Sequence, residues 1–122
     1  MKKLICHCGE VELEIKESEG VLNKFLRCNC TLCKKKGYIM TFAPITDVKI
    51  TKGEDKLKLY QYHTKVAEHY FCPDCGIYTH HKMRSRPDMF GLNVGCIDDI
   101  DQFQLENVGL NDGQNHPMDQ KK

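Results

Sequence analysis

The sequence predicts an all-β fold, antiparallel and stapled by zinc. Three observations lead there. Short runs of alternating apolar and polar residues recur along the chain, separated by Gly, Pro, Asp and Ser turn signals. No long helical period appears between them. Cysteines come in groups two or three residues apart, the spacing of metal-binding knuckles.

The elements follow in order. Cys6-His7-Cys8-Gly9 places two thiols before a glycine that allows a tight turn. Glu10 to Lys16 alternates strictly, with Val11, Leu13 and Ile15 on one side, and reads as a half-buried strand. Ser18-Glu19-Gly20 is a turn, and Val21 to Arg27 a strand leading into Cys28-Asn29-Cys30-Thr31-Leu32-Cys33. In an extended segment Cys28 and Cys30 aim at one point, and a turn brings Cys33 round to it. Lys34-Lys35-Lys36-Gly37 then reads either as a solvated turn or as a positive rim for a carboxylate-bearing ligand.

Tyr38 to Ala43, Val48 to Thr51, Lys56 to Tyr62 and Val66 to Phe71 are further strands, with Leu57 and Leu59 expected to face the core. Cys72-Pro73-Asp74-Cys75-Gly76 is a second knuckle. A redox pair of the thioredoxin type would sit between a strand and a helix. Here β-type sequence follows in Ile77-Tyr78-Thr79-His80-His81, which favours metal. Met83 to Asp88 is a loop, and Met89 to Cys96 a last strand broken by glycines. Residues 1–110 are expected to form one zinc-binding domain. Residues 111–122 are expected to be a mobile tail, because apolar content collapses there.

Composition bounds the partners. At 122 residues the chain has the length of one domain, and it would bury roughly two-thirds of its unfolded surface. With 40% hydrophobic residues and no Trp, the core is thin enough for metal staples to help. Lys+Arg 18 against Asp+Glu 17 argues against general nucleic-acid binding. The start, Met1-Lys2-Lys3-Leu4-Ile5-Cys6, lacks the apolar stretch of a signal peptide, and no apolar run suits a membrane span. Eight cysteines in that setting suggest a reducing cytoplasm and metal thiolates rather than disulfides.

The cysteines divide in two ways. Cys6, Cys8, Cys72 and Cys75 make a closed four-thiolate zinc site, leaving Cys28, Cys30 and Cys33 as a second, open one. Alternatively Cys96 closes the second site; otherwise Cys96 is a small buried hydrophobe.

Cys-X-Cys-Gly, then Cys-X-Cys-X-X-Cys with a following Gly, then Phe-Cys-Pro-X-Cys-Gly resemble the glutathione-dependent formaldehyde-activating enzyme family, which includes centromere protein V. The resemblance runs from about Ile5 to Asp98. It implies a β-tent fold, a structural zinc on Cys6, Cys8, Cys72 and Cys75, and a catalytic zinc on Cys28, Cys30 and Cys33. The implied activity joins formaldehyde to glutathione, formally as a carbon–sulfur lyase. The expected substrates are thus a small thiol and an aldehyde.

An open zinc would hold an outside thiol as thiolate, a nucleophile for an aldehyde carbon. His80 and His81 are candidates for handling the proton, although adjacent strand residues face opposite ways, so at most one faces the site. The rival reading is a non-catalytic zinc module that binds a protein or small molecule. An open fourth position at the three cysteines separates the two.

Overall fold

The computed structural model describes residues 1–18, 21–62, 65–83 and 86–111. Ten strands are present among them: β1 (Lys2–Ile5), β2 (Glu12–Ile15), β3 (Leu26–Cys28), β4 (Met40–Pro44), β5 (Val48–Lys52), β6 (Lys58–Tyr60), β7 (Glu68–Phe71), β8 (Tyr78–Lys82), β9 (Met89–Asn93) and β10 (Gly109–Asn111). One short helix, α1 (Thr31–Lys36), interrupts the β structure, with single 3-10 turns elsewhere. The all-β reading holds.

The strands form two sheets. The smaller runs β1-β2-β5, and the larger runs β10-β3-β4-β9-β8-β7-β6. Pairing is antiparallel except that β10 lies parallel to β3. A bridge between Leu4 and Ile97 joins the small sheet to the chain just past β9.

Alternation along β2 does what the sequence demands. Val11, Leu13 and Ile15 are fully buried, while Glu12 and Glu14 face outward and are only partly covered. They meet Ala43 and Leu92 of the large sheet, with Leu4 and Ile97 completing the first core. His80 lies on this same face of the large sheet, paired across from Leu92.

The opposite face of the large sheet carries different chemistry. The register sets Phe42, Gly91, His81 and His69 side by side across four strands. A neighbouring row holds Leu26, Met40 and Asn93. Beyond it Cys28 pairs with Asn111. A second, smaller core of Cys33, Tyr38, Met40 and Tyr78 sits over this face. One face of the sheet therefore builds the fold and the other is free to build a site.

Several expectations need correction. The stretch after the three-cysteine motif is the end of helix α1, capped by Gly37 in the left-handed conformation at φ 64°, and not a simple turn. Val21 to Phe25 is irregular, with Leu22 itself at φ 61°, so only β3 remains of the strand expected there. Leu59 is 49% exposed, because β6 is the outer edge of the large sheet with a single neighbour, whereas Leu57 packs on the first core. The last strand stops at Asn93, and Val94–Cys96 turns as a 3-10 helix. Asn111, the first residue of the expected tail, instead ends β10, while the stretch 112–122 lies outside the described residues, as do the tip of the first turn and part of the 83–88 loop. No helix among the described residues is long and apolar enough to cross a membrane.

Candidate metal centres and thiol site

Two thiol clusters form on this frame. Cys6, Cys8, Cys72 and Cys75 bring their four sulfurs within 4.8 Å of one another, and Cys28, Cys30 and Cys33 do the same.

The first cluster is made by two knuckles of the same design. In one, the Gly9 N–H donates to Cys6 O at 3.2 Å and the Cys6 N–H to Val11 O at 3.1 Å. In the other, the Gly76 N–H donates to Cys72 O at 2.8 Å and the Cys72 N–H to Ile77 O at 2.9 Å. Both glycines have positive φ, 80° and 74°, which a residue with a Cβ adopts only with strain. The knuckles fold the sulfurs inward, and the Val11 N–H points at Cys6 Sγ at 3.3 Å. Cys8 Sγ lies 3.7 Å from both Cys6 Sγ and Cys72 Sγ. A tetrahedral zinc with Zn–S of about 2.3 Å places its sulfurs about 3.8 Å apart. The donor set and its spacing fit that ion. A strand, β8, follows Cys75 where a thioredoxin-type pair would have a helix, and two further thiols share the site, so the redox reading loses its context.

The second cluster is local. Cys28 ends β3, Cys30 caps α1, and Cys33 lies one turn into that helix. The Cys30 thiol accepts the Cys33 N–H at 3.3 Å, so capping the helix and gathering the sulfurs are one act. Each sulfur has its own polar neighbour. Asn111 Nδ2 donates to Cys28 Sγ at 3.5 Å, the Tyr62 hydroxyl to Cys30 Sγ at 3.8 Å, and Cys33 Sγ meets the Tyr38 hydroxyl at 3.8 Å. Outer contacts of this kind orient metal ligands.

The electrostatics show why a cation suits the cluster. The Cys28 and Cys33 thiols beside it, with the Cys33 N–H and the Tyr62 hydroxyl, hold the Cys30 thiol far below its usual range. Cys28 and Cys30, with burial, push the Cys33 thiol far above its own. The Cys30 thiolate forms readily and Cys33 resists, because like charges cannot crowd together uncompensated. A soft divalent cation removes the conflict. No fourth His, Cys, Asp or Glu joins this group among the described residues. Cys96 is buried in the first core, with its Sγ 3.8 Å from Tyr78 O, and does not enter the second cluster.

Behind Cys33 lies a buried polar group that sequence reasoning missed in part. The Tyr38 hydroxyl is 3.4 Å from that of Tyr78 and 3.5 Å from His81 Nδ1, and the Tyr78 hydroxyl contacts the same nitrogen. Tyr78 and His81 are three residues apart, which in a regular strand would set them on opposite faces. A bulge explains their meeting. Phe71 pairs with Tyr78 and Tyr70 with His80, so Thr79 is an extra residue and the strand is re-aimed. Gly91 opposite leaves room for the His81 ring, since a Cβ there would fall 2.1 Å from Cε1. Burial pushes His81 down to about 3 and both tyrosines well above their ordinary range, so the hydroxyls stay protonated and the imidazole neutral near pH 7. His81 Nδ1 therefore accepts from tyrosine O–H.

The other candidates divide. His80 faces away from the thiols, stacked on Tyr70 with centroids 4.8 Å apart and edge-on to Phe90. Lys34 and Lys35 are exposed. Lys36 folds back instead, its Nζ 3.3 Å from the centre of the Tyr78 ring, and burial pushes it down to about 8. Tyr38, Tyr62, Tyr78, His69 and Asn111 were not legible as site residues. Only Tyr38, directly after the helix-capping Gly37, and Tyr78, two positions after the knuckle glycine Gly76, carried any signal.

Comparison with known proteins agrees with this arrangement. A family model described as glutathione-dependent formaldehyde-activating enzyme matches residues 1–108. A relative from Emericella nidulans, whose name assigns it to the same enzymes, is 27% identical over 95 residues. That match takes in 75% of this chain but 47% of the relative, so the chain spans about half the relative's length. A crystal structure of a Rhodobacter sphaeroides protein superposes with a TM-score of 0.83 at 38% identity, over 89% of this chain and 99% of that one. With the match covering nearly the whole described fold and both thiol clusters, the chain belongs to the glutathione-dependent formaldehyde-activating enzyme family.

Proposed function

We propose that the chain activates a small thiol such as glutathione at Cys28, Cys30 and Cys33 for addition to an aldehyde such as formaldehyde, giving S-(hydroxymethyl)glutathione by carbon–sulfur lyase-type chemistry in the cytoplasm. In this reading residues 1–110, with Asn111 as the last residue of β10, act as one domain with two zinc sites, one closed on Cys6, Cys8, Cys72 and Cys75 and one open. The observation that carries it is the three-thiol cluster without a fourth ligand in its group among the described residues.

Zinc held by Cys28, Cys30 and Cys33 supplies a positive centre that lowers the pKa of an incoming thiol. The chain's own residues do the rest. Asn111, Tyr62 and Tyr38 fix the three sulfurs by the contacts given above, which keeps the open side open. In the reaction a bond forms between the thiol sulfur and the carbonyl carbon. The carbonyl π pair moves to oxygen, and the proton given up by the thiol ends on that oxygen. The Tyr38 hydroxyl, 3.8 Å from Cys33 Sγ, and the Tyr78 hydroxyl beside it are buried O–H donors next to the cluster. They suit the developing oxyanion, with His81 Nδ1 orienting them. His80, on the other face, serves the core in this scheme.

The test follows formation of the hydroxymethyl thioether by NMR from glutathione and formaldehyde, with zinc-loaded wild type and Cys30→Ser. Acceleration by wild type and none by a folded Cys30→Ser protein is expected. Equal rates in both, with thiol titrations equally alike, would leave the non-catalytic zinc module as the better account.

A further inference from the structure

A basin of about 490 Å³ opens on the site face of the large sheet, on the Cys28 side of the three-thiol cluster. We propose that it seats the body of the thiol ligand, a small peptide-like thiol with two carboxylates, and that Lys24 and Arg86 hold those carboxylates. The proposal rests on the thiol reading above and adds where the rest of the ligand lies.

Continuity with the cluster is the first argument. Asn111 lines the basin and also donates to Cys28 Sγ at 3.5 Å. Leu26 and Phe42 line it and also pack against the core that contains Cys33, beside Cys28 and Cys30. A ligand whose sulfur reaches the cluster past Asn111 has its remaining atoms over Leu26 and Phe42. The volume is right for a molecule of that class, since small-ligand pockets run from about 300 to about 1,000 Å³.

Charge is the second argument. Lys24 and Arg86 line the basin, and no Asp or Glu stands among its described lining residues. Arg86 Nε pairs with Asp88 at 3.5 Å, but both side chains are largely exposed. A pair of that kind is worth little and exchanges readily for a ligand carboxylate. A guanidinium and an ammonium at the rim of an apolar floor suit a ligand with two carboxylates on a compact body.

The alternative seat fails on geometry. A second pocket of about 330 Å³ lies on the far side of α1, beside Leu32, Phe71 and Tyr78. Its only cation among the described lining residues is Lys36, whose Nζ is out of contact with solvent and turned onto the Tyr78 ring. Lys34 and Lys35 are exposed and line neither pocket. The carboxylate rim expected at the lysine triplet is thus better provided by Lys24 and Arg86, on other elements.

The experiment uses the zinc-loaded full chain and its Lys24→Gln, Arg86→Gln double variant, titrated calorimetrically with three probes. Glutathione carries thiol and carboxylates, 2-mercaptoethanol the thiol alone, and S-methylglutathione the carboxylates without a free thiol. The double variant should bind glutathione at least about tenfold more weakly, the scale of losing charge-assisted hydrogen bonds. It should bind 2-mercaptoethanol within about twofold of wild type, and lose most S-methylglutathione binding. Both substituted residues are exposed, so thermal midpoint and zinc content should stay put and certify the fold. Unchanged glutathione binding in the double variant would overturn the proposal. So would a wild type that holds glutathione no tighter than 2-mercaptoethanol. If Cys30→Ser leaves glutathione binding intact, the thiol reading falls. The S-methylglutathione arm then still decides whether the basin is a carboxylate seat.

Discussion

Gly91→Ala tests the frame of the site at its tightest point. His81 pairs across from Gly91 in the β8–β9 ladder, and its ring lies over the bare Cα. An added Cβ would sit 2.1 Å from Cε1 and 2.7 Å from both ring nitrogens. The ring has no easy retreat. It is 7% exposed, stacked on His69 at 5.4 Å, and tied through Nδ1 to the Tyr78 hydroxyl. Overpacking of this kind costs about 1–3 kcal/mol. Glycine-to-alanine replacement in extended backbone returns about 0.4–1 kcal/mol through the unfolded chain. The net loss should therefore be about 1–2 kcal/mol in urea unfolding of zinc-loaded protein, with weaker thiol binding as the ring shifts. The decisive comparison is the same change in a His81→Ala background. There the three ring atoms that the Cβ would meet first are gone, and its cost should vanish or turn into a small gain. If Gly91→Ala is as costly without the imidazole as with it, the ring does not occupy that space and the account of the β8 bulge fails.

Three further outcomes are expected. Cys75→Ser should remove one of four closed-site ligands and leave no cooperative unfolding transition by circular dichroism, whereas Cys30→Ser should keep one. Leu13→Ala, at a fully buried position of the first core, should cost about 2–5 kcal/mol in denaturant titration, and a cost below about 1 kcal/mol would contradict its burial. Burial pushes His80 down to about 4 from its ordinary 6.5. The fold therefore favours the neutral ring, a stabilisation complete above pH 6.5 and lost as pH falls towards 4. Wild type should lose about 2–3 kcal/mol more than His80→Gln between pH 7 and pH 4.5, and parallel curves for the two would show the ring accessible to protons.

What the sequence disclosed follows from the range of the interactions involved. The alternation of Glu10 to Lys16 names Val11, Leu13 and Ile15 as a buried face, because a half-buried strand needs nothing beyond its own period. The knuckles were legible for the same reason: Cys-X-X-Cys-Gly is complete within five residues. Leu59 was misread because an edge strand and an inner strand share the same alternation. Only the strand order, with β6 outermost, tells them apart. The meeting of Tyr38, Tyr78 and His81 depends on one extra residue at Thr79 and on the register of β4, β9 and β8. Both are long-range facts. Asn111 is further still, since the parallel pairing of β10 with β3 brings it to Cys28 across 83 positions.

Sequence separation also fits the division of roles proposed above, one cluster as a staple and the other as a reaction site. Cys8 and Cys72 are 64 positions apart. A crosslink closing a loop of that length removes roughly 4 kcal/mol of unfolded-chain entropy, against roughly 2 kcal/mol for the five-position span from Cys28 to Cys33. A metal on the four-thiol cluster therefore restrains half the chain and ties both knuckles to the first core, where Cys6 and Cys72 are buried. A metal on the three-thiol cluster restrains a single helical turn that Cys30 already caps by itself. Holding or releasing a ligand there changes little in the rest of the fold. The thiol exchange proposed for this site would need that independence, and drawing all three sulfurs from the short span Cys28 to Cys33, on the face of the sheet opposite the first core, would supply it.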